Sequence, residues 1–257
     1  MKNAIGIIGG MGPMASQLFY KMVTEHTAAK KDQDHINMIL LSDASMPDRT
    51  SAILSGDYEE LYRQLLEDAR FLEAGGCTAI GITCNTSHFF VDRLAGDLNI
   101  PVIHMVREAA REIADKVRCG KTVGGERALN RAMTHAIVPD MKDRVVGIMA
   151  TDGTVQTGLY QKELRAQGLT PFVPSVEIQK EVMYQIYGRI KNGQPYDKES
   201  WERIEAEYRE AGCGRVLLAC TELSVIKADE QLPDWYMDSM EILVRRVIAF
   251  AGKEYRE

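Results

Sequence analysis

The 257-residue sequence has no apolar stretch long enough to cross a bilayer, which sets membrane-spanning classes aside. Its longest basic runs are pairs such as Lys30-Lys31, and 31 Lys plus Arg stand against 37 Asp plus Glu for a net charge of −6. That balance fits neither a nucleic-acid groove nor a polybasic membrane surface. Cysteine is scarce and odd in number: Cys77, Cys84, Cys119, Cys213 and Cys220 form no C-x-x-C and no Cys/His zinc spacing. A disulfide scaffold is thereby excluded, and free thiols in a reducing cytoplasm are expected. The apolar run Ala4 to Ile8 ends at Gly9-Gly10, short of a signal peptide. What remains is ordinary: 45% hydrophobic and 26% charged residues, enough to bury a sizeable core in one or two domains. Small-molecule chemistry is the default.

Short apolar runs alternate with amphipathic stretches along the chain, the pattern of βα units and a parallel sheet. Strands are expected at Ala4–Ile8, Asn37–Leu41, Thr78–Ile82, Val102–His104, Val145–Met149, Thr170–Val173, Arg215–Leu218 and Trp235–Met237. Tyr58, Leu61, Leu65, Leu66, Ala69 and Leu72 fall at helical spacing, with Asp57 as a start and Gly75-Gly76 as a stop. The segment from Glu73 through Cys77 to Cys84-Asn-Thr86 matches the segment from Glu210 through Cys213 to Cys220-Thr-Glu222. Gly6-Ile7-Ile8 matches Gly147-Ile148-Met149 at nearly the same offset, so an internal duplication into two α/β domains is expected. Residues 118–143 break the rhythm with Gly120, Gly124-Gly125 and Pro139 around a helical run, Arg127–His135, and read as an insertion.

Cys84 and Cys220 each fall at the carboxyl end of an expected parallel strand, just before a polar turn that opens a helix. In open α/β sheets ligands bind there. Unpaired N–H groups of a first helical turn favour a thiolate and attract a carboxylate. A buried free cysteine is commonly just a small core residue, and Cys77, Cys119 and Cys213 are read so. Two thiols at the same corner of two repeated halves suit acid/base chemistry instead. One thiol takes a proton from one face of a carbon and the other delivers a proton to the opposite face, which inverts the centre without metal or carbonyl cofactor. Converging donors from Asn85, Thr86, Ser87 and Thr221 would hold an α-carboxylate as charge develops.

Gly9-Gly-Met-Gly-Pro13, Met46-Pro-Asp-Arg-Thr50, Cys84-Asn-Thr-Ser-His88, Ala150-Thr-Asp-Gly-Thr154, Gln179-Lys180 and Cys220-Thr-Glu222 occur in that order. Through them the chain resembles the cofactor-independent aspartate/glutamate racemases, most closely the aspartate racemase branch, over nearly all its length except the insertion. The resemblance implies two doubly wound parallel-sheet domains related by pseudo-twofold symmetry, residues 1–104 and 105–236, with the active site in the cleft. A C-terminal helix within 237–257 would pack back on the first domain. It implies that Cys84 and Cys220 are the acid/base pair, that Asn85, Thr86 and Ser87 hold the α-carboxylate, and that Arg49 and Lys180 reach the side-chain carboxylate. Aspartate or glutamate as substrate, no cofactor and a homodimer are likewise implied. Read from the residues alone, Arg49 is equally a loop arginine, Lys180 a solvated helix lysine, and Glu222 a helix cap or an orienter of Cys220. The chain departs from the family at Thr83, Ala219 and Ser87, where Pro, Gly and Ala or Met are usual.

Other readings differ in class. A hydantoin or glutamate racemase or a maleate isomerase would use the same cysteines with other side-chain contacts. A non-catalytic amino-acid binder would need no thiols. Gly10-Met-Gly12-Pro-Met-Ala15 satisfies G-x-G-x-x-A after a strand, but the acidic residue a dinucleotide site needs at the end of the second strand is misplaced among Asp32, Asp34 and Asp43.

Overall fold

The computed structural model describes residues 3–119 and 144–257. From residue 120 onward the insertion read at 118–143, with its helical run Arg127–His135, lies outside them. Two parallel sheets organise the chain. The first pairs β1 (Ala4–Gly9) with β2 (Met38–Ser42) and β3 (Cys77–Ile82) in the order β2-β1-β3. The second pairs β4 (Val145–Ala150), β5 (Thr170–Phe172), β6 (Arg215–Ala219) and β7 (Tyr236–Asp238) in the order β5-β4-β6-β7. Superposed by order, β1 corresponds to β4, β2 to β5 and β3 to β6. The register carries through to the last paired residues, Ile8 against Ile82 and Ala150 against Ala219.

The expected strand at Val102–His104 is reduced to one bridge, Val102 beside Ile80. Ile80 N donates to Pro101 O and Ile103 N to Ile80 O. The pairing stops there because His104 already caps the next helix, its Nδ1 accepting from Arg107 N. This bridge occupies the place that β7 takes in the second sheet.

Helices cover both faces of each sheet, as the pleat requires when a strand is apolar on both sides. In β1, Ala4 and Ile8 face the core shared with α3 (Glu59–Ala74), while Ile5 and Ile7 face α1 (Pro13–His26) and α11 (Ser239–Phe250). α11 thus begins after β7 of the second sheet and buries Leu243, Val244 and Val247 against the first. Reciprocally, α5 (Met105–Arg118) follows the first sheet and buries Val106, Ala109 and Ile113 against Val146 and Ile148 of the second. The two crossing helices are joined by Arg246–Glu108 at 2.9 Å and by Arg245–Glu112.

Glycine at the repeated position is explained by close helix packing. A Cβ on Gly147 would come within 2.3 Å of the Tyr208 ring on α9 (Lys198–Glu210), and one on Gly6 within 3.0 Å of Leu72 on α3. Tyr208 is fully buried and its hydroxyl donates to Ile148 O at 2.8 Å, so burial of its ring, about 2–3 kcal/mol, is not offset by an unpaired hydroxyl.

Candidate active site

The carboxyl ends of both sheets meet over one cavity with about 270 Å³ of empty volume. It is lined by Met11, Arg49, Thr50, Cys84, Asn85, Thr86, Thr151, Tyr187, Lys191, Cys220, Thr221 and Glu222. Among the described residues no group of three or more His, Cys, Asp and Glu side chains is placed to hold a metal ion.

Cys84 follows β3 and precedes a short 3₁₀ turn, Thr86–Phe90, that leads into α4 (Val91–Asp97). Cys220 follows β6 and is the N-cap residue of α10 (Thr221–Glu230). Both thiols are buried yet border the cavity. Each corner is tied to the opposite domain. Thr86 Oγ1 lies 2.8 Å from Thr154 Oγ1 and 3.2 Å from Thr151 Oγ1, at the start of α6 (Asp152–Thr157), and Thr221 Oγ1 donates to Thr83 O at 3.2 Å. The domains touch where Gly153 leaves space: a Cβ there would stand 2.8 Å from Thr50 Cα.

Asn85 is held by its oxygen, which accepts from the buried Tyr160 hydroxyl. Its Nδ2 is buried and has no acceptor in the protein, so two N–H donors remain for a ligand. Arg49 opens α2 (Arg49–Ser55), where Asp48 caps the helix by accepting from Ser51 N. The guanidinium donates to Met46 O, Pro47 O and Met11 O, and its Nε is buried without a partner. Burial disfavours charge on Arg49, but Cys84 and Asp48 beside it more than offset this and raise its pKa. No carboxylate lies within 4 Å of that cation among the described residues. Asp48 is near but forms no ion pair with it, so an anionic ligand would find the Nε of that cation free to donate.

Cys220 Sγ donates to Glu222 Oε2 at 3.0 Å, while Glu222 Oε1 accepts from Lys191 Nζ at 2.8 Å and from Gly12 N at 3.2 Å. Glu222 therefore turns back toward the thiol, and α10 has no side-chain cap. Burial and then Glu222 push the Cys220 thiol well above its ordinary range, against the pull of Lys191. Lys191 itself is held above its ordinary range: burial opposes its charge, and Glu222 and Cys220 overcome that opposition.

Two of the residues expected at the site are elsewhere. Lys180 is exposed on α8 (Val176–Met183) and does not line the cavity. Its neighbour Gln179 is the structural member of that motif, donating to Ala150 O and Asp152 Oδ1. The lysine at the cavity is Lys191, roughly three helical turns further on, after a π-helical stretch Tyr184–Arg189 that also turns Tyr187 inward. Such stretches concentrate at functional sites. Tyr187 donates to Asp48 Oδ2 and meets Thr50 Oγ1, both at 3.0 Å. Ser87 is fully buried behind the cavity, its hydroxyl directed at Met11 Sδ at 3.4 Å.

The glycine turn after β1 packs on one side against the Asp43 backbone. Gly10 has φ +87, and a Cβ there would stand 2.4 Å from the Asp43 backbone; its N–H donates to Ser16 Oγ. The other side of the turn borders a second cavity, shared with Arg49, Lys191 and Glu222.

The family model described as Asp/Glu/Hydantoin racemase matches residues 8–124 and 125–247. The chain belongs to the Asp/Glu/hydantoin racemase family. Within this racemase family it is similar to the aspartate racemase of Picrophilus torridus, with 27% identity, a TM-score of 0.75, and 99% and 96% of the two chains covered. It is also similar to an aspartate racemase homologue from Pyrococcus horikoshii OT3, with 25% identity, a TM-score of 0.72, and 97% and 99% covered. In sequence it is 24% identical over 251 residues to the broad specificity amino-acid racemase RacX of Bacillus subtilis (strain 168), across 95% of this chain and 96% of that one. The protein is accordingly an isomerase of the racemase class, built as two parallel-sheet α/β domains.

Proposed function

We propose that this racemase interconverts the L and D forms of an acidic amino acid, aspartate foremost, by proton transfer between Cys84 and Cys220. The observation that carries the reading is a single cavity bordered by one thiol from each duplicated half, beside a guanidinium whose Nε has no partner in the protein. One sulfur removes the α-hydrogen as a proton while the other, on the opposite face, delivers its own. The substrate's α-carboxylate takes up the developing charge against the free Nδ2 of Asn85, the hydroxyls of Thr86 and Thr221, and the first-turn N–H groups of α10. Arg49 and Lys191 receive the side-chain carboxylate, with Lys191 in the role the sequence motif gave to Lys180.

The Bacillus relative carries a broad-specificity name, and the similar solved structures include racemases named for aspartate and others named for glutamate. Two partly buried cations, Arg49 and Lys191, lining the cavity favour the narrower, acidic choice. Incubating the protein with each L-amino acid and separating products by chiral chromatography tests this. D-aspartate should form fastest; a preference for neutral amino acids, or no inversion of any, would overturn the reading.

A further inference from the structure

The two thiol corners share a backbone plan but carry opposite charges. Glu222, only 4% exposed, accepts from Cys220 Sγ at 3.0 Å and is pinned by Lys191 at 2.8 Å and Gly12 N at 3.2 Å. At Cys84 the neighbouring charge is the Arg49 cation, and among the described residues no carboxylate hydrogen-bonds to that thiol. A carboxylate favours the protonated form of a thiol it accepts from, and a cation favours the thiolate.

We infer that Glu222 is a positioning residue that keeps the proton of the unliganded enzyme on Cys220, so that Cys220 begins as the acid and Cys84 as the base. The inference rests on the two-thiol reading above. In the first turnover Cys84 sulfur takes the α-hydrogen as a proton, the electron pair of the broken C–H bond stays on the α-carbon, and the Cys220 S–H proton forms the new bond on the opposite face. The enzyme is left with the proton on Cys84 and the negative charge on Cys220. One net proton moved through water from Cys84 to Cys220 restores the resting form. The other ionisable groups facing Cys220 are Lys191 and Tyr187 from the segment after α8, Tyr160 from α7 (Leu159–Ala166), and Arg49 beyond Lys191. Of these, Lys191 opposes Glu222, and burial keeps the two tyrosines protonated.

The consequence is directional kinetics. L and D enantiomers have equal free energy in water, so kcat/KM must be equal in the two directions, and a resting bias appears in kcat and KM separately. The enantiomer whose α-hydrogen meets Cys220 needs the minor enzyme form, which raises its KM. Its kcat should be raised by the same factor, because its reaction runs toward the favoured form. Glu222→Gln should collapse that factor toward one, and Glu222→Asp should retain it.

A direct readout is the ultraviolet absorbance of thiolate, titrated with pH as the difference between the wild type and Cys220→Ser. The same difference taken in the Glu222→Gln background should move to lower pH by about one unit or more, about tenfold in proton affinity. Should Glu222→Gln not fold, Lys191→Met gives the converse, moving the Cys220 titration upward. A Glu222 that merely stabilises the helix would lower stability and overall activity while leaving the titration and the kcat-to-KM split in place, and that result overturns the inference. So would equal KM values for the two enantiomers in the wild type. If no amino acid is inverted at all, the function proposed above fails, and the titration still decides the Glu222–Cys220 coupling.

Discussion

The first half of the molecule places Cys84 beside a cation, just before a 3₁₀ turn whose histidine is buried; the second places Cys220 beside a carboxylate at the N-terminus of a regular helix. Strand order, register and the repeated glycines Gly6 and Gly147 are kept between the halves, and the charged side chains at the two corners are not. The two halves thus hold equivalent thiol positions at one cavity with unlike charged neighbours. Under the function proposed above, a symmetric reaction, inversion of one carbon, would be carried by an asymmetric site.

The largest effect should come from removing either thiol. Cys84→Ser and Cys220→Ser should each lower racemisation by at least about a thousandfold with the fold retained, because each face of the α-carbon has one base. Near-normal turnover in either variant, measured by chiral chromatography, would end the equivalence of the two corners.

The next contrast is between two cations. Arg49→Ala should weaken kcat/KM for aspartate by the cost of leaving a desolvated carboxylate unpaired, roughly 2–5 kcal/mol. Lys180→Ala should stay within about twofold, since Lys180 is exposed and away from the cavity. Comparable losses in both would return Lys180 to the site.

A smaller effect separates the halves by pH. Burial pushes His88 down to about 4, with its Nδ1 on Cys84 O, and pushes His104 down to about 3. The unfolded chain protonates these rings near the ordinary histidine value, about 6.5, and the folded chain does so only well below it. Between those values the unfolded state binds more protons, so stability is fully present above about pH 6.5 and is lost as pH falls toward the folded values. For His88 the loss should reach roughly 3 kcal/mol. Denaturant melts at pH 7 and pH 4.5 should show it, and His88→Asn should flatten the difference. An unchanged slope would mean that the Cys84 corner is not the acid-sensitive one.

Much of this architecture is legible in the sequence. Strands β1, β3, β4 and β6 are runs of Ile, Val, Leu and Ala bracketed by glycine or a polar turn, and a parallel strand buried on both faces needs little else. The repeat around Cys84 and Cys220 marks the two corners because it repeats a place in the fold as well as a residue type. Val102–His104 reads as a longer strand than it is because apolar composition does not register that Pro101 and a helix cap leave room for a single bridge. Lys191 escapes a linear reading for a geometric reason: a π turn shifts which residues face the cavity, and spacing along the chain carries no sign of it. Ser87 lies in the right motif, yet the 3₁₀ turn directs it at Met11. Thr151 and Thr154 carry a signal, being part of the Ala150–Thr154 motif, but their contact with Thr86 exists only once the two domains meet.

The central claim, two thiols working from opposite faces of one carbon, is tested most directly by the hydrogen that enters the product. In heavy water the sulfur that donates has already exchanged with solvent, while the sulfur that accepts retains the hydrogen it took. D-aspartate formed from L-aspartate should therefore carry deuterium at the α-carbon from the earliest time points, with the remaining L-aspartate still protiated. Early product that is largely protiated, showing return of the original hydrogen as a single base would give, would contradict the account.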